Sequence, residues 1–350
     1  MRASFEISAT AVRAGSRALV DVPLPKLNSH TRLSMPVHVV HGRREGPCLF
    51  VSAAVHGDEL NGAEIIRRLL NHKALGRLQG TLLAVPVVNV YGLIHHSRYL
   101  PDRRDLNRSF PGSERGSLAA RLAHLFMVEI VERCTHGIDL HTGAIHRTNL
   151  PQIRANLDHP ETERLARAFG VPVMINASLR DGSLRAAAAE RAIPMLLYES
   201  GEALRFNELA IRAGLTGVLN VMRVLGMIAT RARSGAPTGT LEPFVARTSS
   251  WARAPESGLL RTTAPLGARV ERGEVLGYVD DPYSGARHAV VAHVRGVVIG
   301  RTEIPLVHEG EAVFHIARFG NDVDEVAGHL EIFQELHALD EGYGEEPPIC

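Results

Sequence analysis

The sequence predicts an α/β protein with a doubly wound, mostly parallel sheet, followed by a smaller C-terminal all-β domain. From residue 36 to about residue 227, short apolar runs alternate with amphipathic stretches, as strands and helices do in succession. After residue 228 the pattern changes to short β-type runs separated by glycine turns. Hydrophobic residues make up 45% of the 350 residues and charged residues 22%, which is ordinary globular composition and excludes wholesale disorder.

Four apolar runs in the first part of the chain are predicted strands, and each is apolar on both faces. They span residues 48–55, 81–88, 137–140 and 194–198. Such runs are typical of a parallel sheet whose two faces are covered by helices. Apolar stripes at helical spacing predict helices around 118–126 and 215–225, and Pro160 followed by Glu161 and Glu163 marks the start of another.

Changes in composition divide the chain into four predicted parts. Residues 1–230 form the α/β domain, 231–239 a linker rich in Gly, Pro and Ser, and 240–337 the β-rich domain. Residues 338–350 are acidic and contain proline, and we expect this tail to be disordered.

One stretch of the β-rich domain, residues 258–280, resembles the hairpin of biotinyl and lipoyl carrier modules. No lysine follows Lys73, however, so nothing in that hairpin can be biotinylated or lipoylated. We therefore interpret the β-rich domain as a scaffold or lid over the first domain, and leave open that it mediates a homo-oligomer contact.

Charge and hydropathy exclude several classes of partner. The formal net charge of +1 provides no field to attract nucleic acid or an anionic membrane. The chain has no apolar run of about eighteen residues that could span a membrane, and its first residues lack the apolar core of a signal peptide. We therefore expect a cytoplasmic protein whose partner is a small molecule, with no nucleic-acid or membrane partner.

The histidine content indicates which kind of metal site the chain could form. There are 18 His but only 3 Cys (Cys48, Cys134 and Cys350), too few cysteines for a disulfide framework or a thiolate zinc cage. A bound metal would therefore be held by histidine and carboxylate side chains.

Two histidine motifs follow predicted strands. His56 and Glu59 come directly after the strand that ends near Val55, and His141 follows the run at 137–140. The carboxyl ends of strands in an open α/β sheet share one edge, so these side chains can face one ion. Two nitrogens and one carboxylate with an open fourth position are the ligands of a catalytic zinc site. Taken alone, the first motif has a plainer interpretation, a helix start with solvated acids and a surface histidine.

Asp139 stands two residues before His141 in the same run. It could accept the second ring N–H of a ligand histidine and so fix its tautomer and orientation. A strand-end acid satisfied by a nearby helix N-terminus is an equally good interpretation.

Two further polar clusters complete the predicted site. Glu199 is the first charged residue after the run at 194–198, where a carboxylate can take a proton from an attacking water. Glu202 is the alternative, although it fits better as an acid in the first turn of a helix. Asn107 and Arg108 lie in an arginine-rich loop and could bind a substrate carboxylate, whereas the plainer interpretation of that loop is a solvated charge run.

Together these motifs resemble those of one family. In order and approximate spacing they are similar to those of the succinylglutamate desuccinylase/aspartoacylase family, a branch of the zinc carboxypeptidase-like hydrolases. The motifs are His56-Gly57-Asp58-Glu59, Asp105-Leu106-Asn107-Arg108, Asp139-Leu140-His141-Thr142-Gly143 and Glu199. The resemblance covers about residues 36–228 and extends over the β-rich domain, and it implies a sheet of zinc-carboxypeptidase type.

The resemblance also implies roles for individual residues. One zinc ion per subunit would be held by His56, Glu59 and His141, and Glu199 would be the acid/base residue. The carboxylate of an N-acyl amino acid would be gripped by Asn107 together with Arg108.

In the same family an arginine shortly before the Asn-Arg pair polarises the scissile carbonyl. Arg98 is the natural match for that role in this sequence. The stretch from Arg98 to Asp105 is longer than in true aspartoacylases, so Arg103 and Arg104 compete with it.

We therefore predict a zinc-dependent hydrolase that cleaves the amide bond of an N-acyl amino acid or a related small carboxylate-bearing substrate. A carboxypeptidase that removes C-terminal residues, or an esterase, is an alternative, since an Arg/Asn clamp binds those substrates equally well. A non-catalytic metal- or ligand-binding protein is the remaining alternative, and Glu199 argues against it, because a binding site needs no free carboxylate opposite an open metal position.

Overall fold

A large mixed sheet lies at the centre of the fold in a computed structural model, which describes residues 2–230, 242–246 and 248–338. The predicted linker at 231–239 and residues 339–350 of the predicted tail lie outside the described residues. The predicted boundaries between domains stay predictions.

Strands and helices alternate through residues 2–230, as the sequence predicts. The strands are β1 Phe5–Ile7, β2 Thr10–Val12, β3 Ser16–Pro23, β4 Ser34–His41, β5 Arg44–Ala53, β6 Gln79–Val85, β7 His136–Gly143, β8 Arg147–Ala155, β9 Val173–Asn176 and β10 Met195–Glu202. The α-helices are α1 Asn61–Asn71, α2 Val90–Ile94, α3 Leu118–Glu129, α4 Pro160–Phe169, α5 Leu184–Ala189 and α6 Glu208–Val224. Short 3-10 turns occupy Lys73–Arg77, Leu106–Arg108 and Val131–Arg133.

Parallel pairing is confined to part of the sheet. Its middle strands β6, β5, β7 and β10 are parallel neighbours in that order. On one side β4 and β3 continue the sheet with antiparallel pairing, and on the other side β8 runs antiparallel to β10. The sheet is therefore mixed, and the prediction of a mostly parallel sheet holds for its middle and for the pairs that β9 makes with β8 and β11. Buried and more exposed positions alternate along β3 and much of β4, so neither strand shows the continuous apolar run by which the middle strands were predicted.

The C-terminal strands form what we call the β module, residues 244–319. They are β11 Phe244–Ala246, β12 Thr248–Arg253, β13 Gly258–Thr262, β14 Arg269–Val270, β15 Val275–Asp280, β16 Arg287–Val291, β17 Gly296–Thr302, β18 Leu306–Val307 and β19 Ala312–Arg318. A 3-10 turn, Gly320–Asp322, and helix α7, Val323–Ala338, follow.

The β module is joined to the large sheet. Strands β16, β15, β13 and β18 form a four-stranded sheet, whereas β17, β19 and β12 extend the large sheet because β17 pairs antiparallel with β8. Strand β11 pairs with β9. The predicted all-β domain is thus confirmed in part: the region is rich in strands, but it shares the main sheet and is followed by a helix.

Helices cover both faces of the sheet. One apolar cluster includes Ile65 of α1, Leu165 of α4 and Val218 of α6. The other includes Phe126 of α3 and Leu184 of α5. Burial on both faces explains why the middle strands are mostly apolar. Among the described residues, no helix has the length and apolar character needed to cross a membrane.

Candidate metal and substrate site

The ends of three neighbouring parallel strands bring the predicted polar residues together. His56 lies in the loop after β5, His141 lies near the end of β7, and Glu199 lies in β10 directly beside His141 in the strand register. Because β5, β7 and β10 run in the same direction, their carboxyl ends share one edge of the sheet.

The two histidines and Glu59 form a compact buried cluster. Nδ1 of His56 lies 2.7 Å from Oε1 of Glu59, and Nδ1 of His141 lies 2.8 Å from Oε2 of the same carboxylate. One potential ligand atom from each residue lies within 4.8 Å of the others. In the part of the chain that the structure describes, this is the one group of His, Cys, Asp and Glu side chains close enough to hold a metal ion.

A second carboxylate lies near Nε2 of each histidine, the ring nitrogen that faces away from Glu59. Nε2 of His56 lies 3.2 Å from Oδ1 of Asp105, and Nε2 of His141 lies 2.6 Å from Oδ2 of Asp139. Metal-binding histidines commonly donate their other ring N–H to a carboxylate in this way. The donor set, two Nδ1 atoms and one carboxylate with their outer partners in place, therefore fits zinc.

The electrostatics of the cluster follow from this packing. Burial disfavours the charged form of His56, but Glu59 and Asp105 outweigh burial and raise its pKa. For His141, Asp139 and Glu59 likewise outweigh burial and raise the pKa well above its ordinary value. Burial also opposes ionisation of Glu59, yet the two histidines hold its pKa well below the usual range. The carboxylate is thus ready to act as an anionic ligand.

A close backbone contact shapes the loop that carries His56 and Glu59. A Cβ on Gly57 would lie 2.1 Å from the carbonyl carbon of Gly92 in α2, so only glycine fits there. The side chain of Asn89 caps α2 by accepting from the Gly92 N–H, and its amide nitrogen donates to the Arg98 carbonyl. This packing connects the loop that carries His56 and Glu59 to the segment that carries Arg98.

The side chain of Arg98 points into the site, whereas those of Arg103 and Arg104 do not. Its guanidinium donates to Oε1 of Glu59 at 3.2 Å and to Oδ2 of Asp105 at 2.9 Å. Arg103 and Arg104 are exposed and do not line the cavity that Arg98 lines. The loop conformation therefore favours Arg98 among the three arginines.

Asn107 and Arg108 lie in the 3-10 turn Leu106–Arg108, and the side chain of its N-cap residue, Asp105, accepts a hydrogen bond from the backbone N–H of Asn107 at 2.8 Å. Oδ1 of Asn107 accepts a hydrogen bond from the backbone N–H of Leu184 at 2.9 Å, which leaves the amide nitrogen as the donor for a ligand. Both Asn107 and Arg108 line the cavity that His56, Glu59 and His141 also line.

Glu199 is held by two residues of β8. Its Oε2 accepts a hydrogen bond from Nδ2 of Asn149 at 2.7 Å and lies 3.4 Å from Nε of Arg154. Glu202, the alternative acid, lies at the end of β10, not in the first turn of a helix, and faces His146 at 3.1 Å. Of the two acids, only Glu199 lines the cavity.

The cavity itself has a volume of about 280 Å³ and reaches from the metal cluster to the β module, which contributes Trp251. Sequence reasoning did not assign roles to Asn149, Arg154 or Trp251, because β8 was not predicted and Trp251 lies far along the chain. The sequence does mark Asp105, because it is the first residue of the Asp-Leu-Asn-Arg motif. Its contact with His56, however, depends on the folded loop.

Fold and site together define a class of protein: an α/β protein with a two-histidine, one-carboxylate cluster at the carboxyl edge of a mixed sheet, facing an arginine-lined cavity. A model of the succinylglutamate desuccinylase/aspartoacylase catalytic domain matches residues 45–225, just over half of the 350 residues. The chain belongs to this family, which confirms the resemblance of its motifs.

Two similar proteins carry names that agree with this family assignment. An N-alpha-acetyl-L-2,4-diaminobutyric acid deacetylase from Halomonas elongata is 28% identical over 261 residues, which cover 71% of this chain and 74% of that protein. A succinylglutamate desuccinylase/aspartoacylase structure from Rhodobacter sphaeroides has a TM-score of 0.77 at 26% identity and covers 87% of this chain and 96% of that one.

A more distant structure shares the fold. The product-bound ectoine utilisation protein EutE (DoeB) from Ruegeria pomeroyi has a TM-score of 0.80 at 20% identity, covering 91% of this chain and 100% of that one. The fold described above therefore recurs along nearly the whole length of these proteins.

Proposed function

We propose that this protein is a zinc-dependent hydrolase that cleaves the amide bond of an N-acyl amino acid or a related small carboxylate-bearing substrate. The observation that carries the proposal is the meeting of three groups in one cavity: the His56–Glu59–His141 cluster, the carboxylate of Glu199, and the donor pair Asn107 and Arg108. The naming of a relative as a deacetylase supports the same reaction class.

One zinc ion per chain would be held by His56, Glu59 and His141. When bound, zinc supplies a Lewis acid that polarises the scissile carbonyl and makes water more acidic. The carboxylates of Asp105 and Asp139 face Nε2 of the two rings, so each Nδ1 lies toward Glu59, where the ion would be held.

The protein's own groups perform the remaining steps. Asn107 and Arg108 bind the substrate carboxylate and so position the amide. The guanidinium of Arg98 donates to the carbonyl oxygen as it becomes negative, an electrostatic effect often worth about 3 kcal/mol. Glu199 takes the proton of the attacking water and passes it to the leaving nitrogen.

The first test replaces Glu199 with Gln. We expect Glu199→Gln to retain zinc and to lose turnover by roughly 10²–10⁴-fold, because the amide keeps the shape of the side chain but cannot accept the proton. Turnover is followed by amine release from N-acyl amino acids and short peptides and by acid release from esters, and zinc by atomic emission.

Two comparison variants make the result decisive. Glu202→Gln changes the neighbouring acid outside the cavity and should leave turnover and zinc unchanged. His141→Ala should lose zinc. Unchanged hydrolysis by Glu199→Gln, or full zinc occupancy in His141→Ala, would contradict the assignment.

A further inference from the structure

We propose that Cys48 and Cys134, which we call the cysteine pair, are a redox modification site that closes reversibly to an intramolecular disulfide. The co-reactant is a low-molecular-weight disulfide, which accepts the two electrons. Closure would join strand β5 to the segment that leads into β7 and so stabilise the folded chain. The inference does not depend on the proposed function, because neither cysteine lines the cavity that His56 and His141 line.

The two sulfur atoms are already close in the folded chain. Sγ of Cys48 lies 3.4 Å from Sγ of Cys134, although the two residues are 86 positions apart in sequence. In the reduced protein this contact is a thiol–thiol hydrogen bond, since sulfur is both a weak donor and a weak acceptor. A disulfide needs the same sulfurs at about 2.05 Å, so closure requires them to approach by about 1.4 Å.

Hydrogen bonds hold the backbone that carries these sulfurs. The backbone N–H of Thr135 donates to the carbonyl oxygen of Cys48 at 2.8 Å, and the backbone N–H of Cys48 donates to Oγ1 of Thr135 at 3.1 Å. The β5–β7 ladder begins at the next pair, in which Leu49 lies opposite His136. Because the backbone is fixed here, rotation of two short side chains is the motion that closure needs.

The two thiols differ in access, and this difference sets the order of the reaction. Cys48 is partly exposed, whereas Cys134 is 7% exposed and belongs to the apolar cluster that includes Phe126 and Ile130. Burial and the neighbouring Cys48 thiol raise the pKa of Cys134 well above its ordinary value. An incoming disulfide therefore reacts with Cys48 first, and Cys134 is the thiol that completes the reaction.

The reaction balances as two steps of thiol–disulfide exchange. Cys48 loses its proton and its sulfur attacks one sulfur of the reagent, which breaks the reagent's S–S bond and releases the first thiolate. Cys134 then loses its proton, attacks Sγ of Cys48 and expels the second thiolate. The two departing thiolates take up the two protons. Two protein thiols are thus oxidised to one disulfide, and one reagent disulfide is reduced to two thiols.

The cysteine pair lies at the opposite end of the strands from the candidate metal site. It precedes the β5–β7 ladder, whereas His56 follows β5 and His141 lies near the end of β7. Closure would therefore join the start of the ladder without entering the site. Folding and closure are linked, because the factor by which the fold favours the disulfide is also the factor by which the disulfide raises the folding equilibrium constant.

The experiment equilibrates the Cys350→Ser protein with mixtures of reduced and oxidised glutathione, once folded and once unfolded in urea. This variant leaves the cysteine pair as the two remaining thiols of the chain. Mass spectrometry after acid quenching measures the disulfide as a loss of about 2 Da, and peptide mapping identifies the cysteines that it joins. We expect the effective concentration of the two thiols to be about 100-fold or more higher in the folded protein than in urea.

Single-thiol variants in the same background test the order of the two steps. Cys134→Ser keeps the partly exposed thiol and should accumulate a mixed disulfide with glutathione at Cys48, because no second thiol can expel it. Cys48→Ser keeps the buried thiol and should react about 10-fold more slowly or less. Dithiothreitol should return the oxidised two-thiol protein to its original mass, with its circular dichroism unchanged throughout.

The proposal is overturned if the folded protein keeps the cysteine pair reduced in glutathione mixtures that oxidise the unfolded chain, or if the effective concentration is no higher than in urea. A mixed disulfide at Cys48 that persists although Cys134 is present also overturns it. So does closure that abolishes the circular dichroism of the folded state, since the disulfide would then not belong to the native structure. Equal reaction rates of the two single-thiol variants would contradict the proposed order.

Discussion

Asp139 shows how much a single buried residue contributes to the site. Its side chain is fully buried, with one oxygen accepting from the hydroxyl of Ser52 at 2.7 Å and the other facing Nε2 of His141 at 2.6 Å. An isolated carboxylate at this depth would be strongly destabilising, so these two partners are what make the charge tolerable. In return, the charge orients the His141 ring.

Replacing Asp139 with Asn should weaken zinc binding. The amide cannot act as the negative acceptor of the His141 N–H, and the loss of such an outer partner typically lowers metal affinity by roughly 10–100-fold. Competition with a chromophoric chelator measures the affinity. Ser52→Ala, which removes only the bond to the far oxygen, is the control with a smaller expected effect. Equal zinc affinity in a folded Asp139→Asn protein would refute the positioning role.

At the scale of secondary-structure elements, the contact between the loop after β5 and helix α2 places the site residues. The loop carries His56 and Glu59, and the chain leaving α2 carries Arg98, which bonds back to Glu59. The loop can come this close to α2 because Gly57 has no Cβ to clash with the α2 backbone. Packing of these two elements therefore couples the proposed metal ligands to the proposed carbonyl-polarising arginine.

Gly57→Ala should disturb stability and activity together. The new methyl group would lie 2.1 Å from backbone of α2, and such overpacking costs about 1–3 kcal/mol of unfolding free energy. Chemical denaturation measures the loss, and turnover should fall because Arg98 is displaced. Gly76→Ala is the matched control, since its added Cβ would meet nothing within 4 Å. If the Gly57→Ala protein were as stable as the Gly76→Ala protein, the loop would be able to shift and accommodate the methyl group, which would contradict the prediction.

At the scale of the whole molecule, the β module is continuous with the large sheet. Strand β17 pairs with β8, the same strand that carries Asn149 and Arg154, and β11 pairs with β9. The module also places Trp251 in the wall of the cavity. Sheet pairing and a shared cavity connect it to the rest of the protein more strongly than a flexible tether would.

This continuity predicts cooperative unfolding. Trp251 is the single tryptophan of the chain, so its fluorescence reports on the junction of the β module with the main sheet, whereas far-ultraviolet circular dichroism reports on the helices and strands of the whole protein. We expect the two denaturation curves to coincide in urea. An earlier fluorescence transition would mean that the module unfolds by itself.

Much of the candidate metal site was predictable because its residues follow local patterns. The middle strands bury both faces, so they are mostly apolar, and His56, Glu59, His141 and Glu199 follow or end their apolar runs. Parallel strands place their carboxyl ends together whatever the details of packing. The family of the protein followed from the same motifs.

The other parts of the site depended on tertiary structure. The folded loop favours Arg98 over Arg103 and Arg104 for the proposed role, because it points one guanidinium at Glu59 and leaves the other two exposed. The three arginines also share one short segment of sequence, so spacing could not separate them.

The sequence by itself determined the α/β class, the family and the residues proposed to hold a metal, because hydrophobic periodicity and strand-end motifs are local. Only the tertiary structure decided that the sheet is mixed, that β8 supports Glu199, and that Trp251 meets Arg147 across about a hundred residues of chain. The physical reason is that antiparallel pairing between distant segments and stacking of side chains from different strands depend on long-range packing, which no local pattern records.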